Sequence, residues 1–109
     1  MNEEAPDIVG AWLHAYEEDT DTTAVYHPED YPFRPSRRPR RGMDFHADGT
    51  FVEWVPGPDD RPREVAGRWA RQETDRIRVT FPEGQGEPFD LTVVSREGDT
   101  LSFARGERQ

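Results

Sequence analysis

Gly10-Ala11-Trp12-Leu13-His14 is the stretch whose reading decides the fold. It opens the first strongly patterned segment, Ile8 to Tyr16, in which residues of two kinds alternate along an extended chain. Trp12, His14 and Tyr16 fall on one face, and Ala11, Leu13 and Ala15 on the other. The glycine two places before the tryptophan recurs once, at Gly67-Arg68-Trp69.

The same period of two runs through the rest of the chain. Strand one spans Ile8 to Glu18, with an acidic turn over Glu17–Asp21, and strand two spans Thr22 to His27. Strand three covers Gly42 to Ala47 and strand four Thr50 to Val55, joined through Asp48-Gly49, a pair that supplies the positive φ of a tight hairpin. After a polar loop, Pro56 to Arg63, strand five covers Glu64 to Arg71 and strand six Arg76 to Phe81. Pro82 to Glu87 turns, strand seven runs from Phe89 to Ser95, Glu97–Asp99 turns again, and Thr100 to Arg105 is strand eight. Eight short strands, mostly joined by hairpin turns and with no helical period, predict an all-β sandwich or barrel.

Composition favours the barrel. One domain accounts for 109 residues, of which only 32% are hydrophobic, so nearly every apolar side chain has to point inward. Net charge −9 and 34% charged residues lean toward disorder. The alternating placement of the aromatic residues outweighs that average. A closed sheet encloses one core and leaves no open edge.

With its Gly10-x-Trp12 near the N-terminus of an eight-stranded pattern, the chain resembles the lipocalins and related calycin barrels. The resemblance implies a miniature eight-stranded up-and-down antiparallel barrel. In it Trp12 would plug one end, and Gly10 would let the strand bend beneath it. His14 and Tyr16 would then face inward with Trp12. The chain is shorter than a typical lipocalin and lacks the usual helix before the last strands. Residues 1–7 and 106–109 are expected to be flexible tails of the single 1–109 domain.

Pro28 to Arg40 interrupts the pattern with four prolines, Tyr31 and Phe33. Proline donates nothing to a ladder, so this is a loop, and long loops of this kind are commonly functional. The calycin resemblance implies a lid over the barrel mouth. Arg34, Arg37, Arg38, Arg40 and Arg41 concentrate five guanidiniums in eight residues of an acidic protein. They suit a carboxylate or phosphate, or simply balance the chain's own acids at Glu17, Glu18 and Asp19.

Net negative charge argues against a general nucleic-acid or anionic-membrane binder. Absence of Cys excludes disulfides and thiolate chemistry. With no apolar h-region and no membrane-length run, a cytoplasmic location is the expectation. His14, His27 and His46 lie on three strands, but the strand-end place of His27 and the outward parity of His46 point away from a metal site, and no cofactor is expected. No phosphate loop, His-Glu-x-x-His or nucleophile elbow is present.

The polar residues with inward parity form the best constellation. The Asp48-Gly49 hairpin ties Phe51 to Phe45, and Phe51 inside brings Glu53 inside. A buried carboxylate needs a partner, which a core Arg, Tyr26 or a ligand can supply. The expected site is therefore His14, Tyr16, Tyr26 and Glu53 around a cavity, with Arg38 and Arg41 at its mouth. The expected function is binding of a small, partly apolar molecule, with an anionic group as an option. Two alternatives stay open: a small barrel enzyme of cyclase or isomerase type using Glu53 and His14 as an acid–base pair, and a protein-binding or inhibitor module using the Pro/Arg-rich loop. Val52 and Trp54, apolar on the outer face of strand four, suggest a homodimer contact.

Overall fold

The alternating segments fold into eight strands: β1 Gly10–His14, β2 Thr23–Pro28, β3 Gly42–Phe45, β4 Thr50–Pro56, β5 Pro62–Glu73, β6 Arg76–Thr80, β7 Phe89–Glu97 and β8 Thr100–Ala104. The structure is a computed structural model that describes residues 7–35, 40–57, 62–84 and 86–104. All neighbouring strands are antiparallel, and they close in the order β1-β2-β8-β7-β6-β5-β4-β3. The expected all-β, eight-stranded antiparallel barrel is thus present.

From β3 to β8 the chain runs up and down, each strand beside the next. β1 sits between β2 and β3 and hydrogen-bonds to both. Both are antiparallel to β1, so they point the same way. The chain leaving β2 must therefore travel back along the barrel before β3 can start, which a tight turn cannot do. This is the structural reason for the long Pro-rich connection.

Registers fix the inner face. Trp12, Met43, Glu53 and Val65 lie side by side across β1, β3, β4 and β5, and Gly10, Phe45, Phe51 and Gly67 form the adjacent layer. Ile77, Val79, Phe81, Phe89, Leu91, Val93, Leu101 and Phe103 complete the buried core. Phe51 meets the rings of Phe45, Phe81 and Phe89 at centroid distances of 5.1, 6.2 and 6.3 Å.

Trp12 is buried at the end where β1 begins. Its Nε1 donates to the Ile8 carbonyl at 2.9 Å, and the Arg96 guanidinium lies 5.0 Å from its ring. Arg96 Nε also donates to the Asp7 carbonyl at 3.1 Å. The N-terminal segment is thereby drawn across the barrel end, with Ile8 fully buried. Gly10 makes the required bend at φ +134°, a conformation that a side chain would strain. Trp69 is half-buried, edge-on to Phe45, and donates to the His46 carbonyl at 2.8 Å.

Strand one is shorter than its sequence pattern. It ends at His14 and not at Glu18; Ala15 leaves the extended region (φ −93°, ψ 70°), and Tyr16–Glu18 makes one 3-10 turn, η1. Tyr16 therefore leaves the inner face on which alternation placed it. Among the described residues no helix is long and apolar enough to cross a membrane.

Candidate functional site

The acidic run after β1 is largely exposed, yet most of its carboxylates are partnered. Its first three carboxylates each meet a basic group from a different element, while Asp21 is exposed. Glu17 accepts two hydrogen bonds from Arg40, Nη1 at 2.8 Å and Nη2 at 2.6 Å. Glu18 Oε2 is 2.8 Å from His27 Nε2. Asp19 Oδ2 is 2.8 Å from His14 Nε2, while its Oδ1 accepts the Val25 N–H at 2.9 Å. η1 brings Glu17 to the returning connection, where the bidentate pair ties the two together.

Arg40 anchors the far end of that connection. Besides Glu17, its Nη1 donates to the His14 carbonyl at 3.0 Å, and its guanidinium lies 4.3 Å from the Phe33 ring and 4.9 Å from the Tyr16 ring. Hydrogen bonding from Arg40, helped by the residue's own backbone, holds the Glu17 carboxyl at about 2 instead of 4.5. The same pair raises Arg40 above its ordinary value. A depressed carboxyl stabilises the fold above its unfolded value and loses that contribution on acidification. The Glu17 tie is thus expected to be complete above pH 4.5 and to be lost as pH falls toward 2. Amide spectra of Phe33 and Arg34 should change across that interval, and Glu17→Gln should remove the change.

The first half of the connection lies on the outer wall. Glu29 N–H donates to the Ala11 carbonyl at 3.2 Å, and Tyr31 N–H turns back to the Pro28 carbonyl at 2.9 Å. His27 pairs with Leu13, next to inward-facing Trp12, so it points outward. It is nevertheless only 3% exposed. Tyr31 covers it face to face, with centroids 3.7 Å apart and planes 7° from parallel, and Phe33 packs on Tyr31 at 5.1 Å. In its described part the expected mouth lid is a strap along the outside of β2. Residues 36–39, including Arg37 and Arg38, lie outside the described residues.

Strap and η1 enclose a cleft of about 510 Å3 lined by Glu17, Glu18, Tyr31, Pro32, Phe33 and Arg34. Glu17 is matched to Arg40 and Glu18 to His27, which leaves Arg34 as the lining charge without an ion pair among the described residues. A second cleft of about 300 Å3, beside Gly67 and Pro82, has no aromatic ring among its described lining residues.

Of the residues that sequence put forward, three share the inner face as parity requires. Glu53 is 4% exposed between Met43 and Val65. His14 is half-buried and stacks on Tyr26 at 4.8 Å, and Tyr26 meets the edge of Phe103 at 5.6 Å. The carboxylate 2.8 Å from His14 is Asp19. Tyr16 sits on η1 under Arg40, and Arg41 is exposed just before β3, its carbonyl accepting the His14 N–H at 2.8 Å. Arg38 falls outside the described residues. The three imidazoles do not converge: His14 faces in, His27 faces out, and His46 meets Thr50 and Asp44 at the β3–β4 turn. Among the described residues no group of three or more His, Asp or Glu side chains is placed to hold a metal. Val52 and Trp54 lie on the outer face, both half-buried, and Trp54 packs so closely over Gly42 that a Cβ there would be 2.5 Å from Cε3.

Sequence offers Arg34 to an anion and sets Glu17 and Glu18 against the loop's arginines, but it does not join them with Phe33 into one cleft. Their signal is the pairing of an acidic run with an aromatic and Arg-bearing loop. The protein class that this fold defines is a closed, eight-stranded antiparallel barrel with an external strap. The chain matches no family model, no curated protein and no solved structure.

Proposed function

We propose that this is a small calycin-like binding module that takes a small, partly apolar anion in the cleft between the strap and η1. The observation that carries the reading is the composition of that cleft: aromatic walls from Tyr31 and Phe33 beside Arg34, with both neighbouring acids already paired. Its volume falls within the roughly 300–1,000 Å3 range of small-molecule sites. A flat ring would lie against Tyr31 and Phe33, and Arg34 would offer a planar fork to a carboxylate or sulfonate. Gly10 and Trp12, at the bend and plug of the barrel end, support the calycin likeness.

The barrel interior is a second position for the same class of ligand, favoured by the shared inward face of His14, Tyr26 and Glu53. Titration with naphthoate, followed by calorimetry, tests both. Losing one charge-assisted contact should weaken binding about tenfold or more in Arg34→Ala. Glu53→Gln should bind as the parent does. The reverse pattern would move the site into the barrel, and no binding by the parent would remove the proposal.

A further inference from the structure

We infer that His27 is a protonation-controlled latch, which as an imidazolium ties η1 and the strap to the outer wall and on losing its proton lets them go. The hydrogen count carries this. His27 Nδ1 lies 2.7 Å from the Asp99 carbonyl oxygen, and Nε2 lies 2.8 Å from Glu18 Oε2. A carbonyl and a carboxylate only accept, so both ring nitrogens have to donate. Only the doubly protonated ring does that. The neutral ring turns a lone pair on one of the two acceptors, and the ring itself is only 3% exposed.

The third tie also depends on charge. Tyr31 lies flat on the His27 ring at 3.7 Å, and a cation gains more from a ring face than a neutral imidazole does. Three elements thus meet at one ring: Glu18 of η1, Asp99 of the β7–β8 turn and Tyr31 of the strap. Among the described residues these are the titratable or charged groups packed on it, and Phe33 adds an apolar edge at 6.0 Å. Glu17, Arg40 and Arg34 stand one contact further out. Burial disfavours the charged ring, but the bonds to Asp99 and Glu18 outweigh it and raise the group above its ordinary 6.5. A raised value means that the tie is complete below 6.5 and is lost as pH rises through the folded-state value.

The latch stands on these contacts alone. That it also opens the cleft, two of whose walls it holds, rests on the proposed binding role. The test therefore uses the protein without ligand. Histidine ring and backbone amide signals are followed by NMR from about pH 5 to 9, the range in which imidazoles titrate, with His14, His27 and His46 assigned separately. The His27 midpoint is expected above 6.5, and the amides of Glu18, Tyr31 and Phe33 should move with that same midpoint. Glu18 is half-exposed, so Glu18→Gln should fold and should lower the midpoint; His27→Gln should leave the strap amides flat. A His27 midpoint at or below 6.5, one unmoved by Glu18→Gln, or strap amides that ignore it would overturn the latch. Failure of naphthoate to bind would leave this result untouched.

Discussion

Trp12→Ala is expected to destabilise the protein by about 3–5 kcal/mol, the range for deleting a buried aromatic side chain. Trp12 is 3% exposed, and its removal does more than empty a space. Nε1 no longer holds the Ile8 carbonyl, and Arg96 loses the ring on which it lies. The N-terminal segment then has less to keep it across the barrel end. For a domain this size the melting temperature should fall by more than about ten degrees. Thermal unfolding that stays within a few degrees of the parent would deny Trp12 this part in holding the barrel end.

Gly67→Ala should be the most damaging small change, at about 1–3 kcal/mol, the usual range for overpacking. A Cβ at position 67 would stand 2.5 Å from the Thr80 carbonyl oxygen and 2.9 Å from Phe81 Cδ1. The first is a backbone atom of β6, so relief requires moving a strand and not merely a rotamer. Gly67 therefore serves close approach between strands, as glycine in a strand interior often does. Urea unfolding would show the effect as a lowered midpoint, and an unchanged midpoint would mean that β5 and β6 do not meet there.

Alternation made much of the interior legible. Phe45, Phe51 and Glu53 fall inside because the Asp48-Gly49 hairpin sets their register, and Gly49 does adopt φ +92°. Three features were hidden for physical reasons. Parity cannot show where a strand ends, so alternation places Tyr16 on the inner face, whereas the chain turns into η1 after Ala15 and Glu17 meets Arg40. A period of two names two faces but not what covers the outer one. His27 is thus outward by alternation and buried by Tyr31, a contact that depends on where the strap lies. The order of the first strands is equally non-local: β1 pairs with β3 through registers that no short stretch contains. The length of the Pro28–Arg40 connection was its one trace in the sequence.

The proposed placement of ligand binding outside the barrel is tested most directly by mapping naphthoate onto the assigned amide spectrum. Shifted signals are expected to cluster on Glu17, Glu18, Tyr31, Phe33 and Arg34, residues around the 510 Å3 cleft. Shifts centred instead on Glu53, Tyr26 and His14 would contradict it.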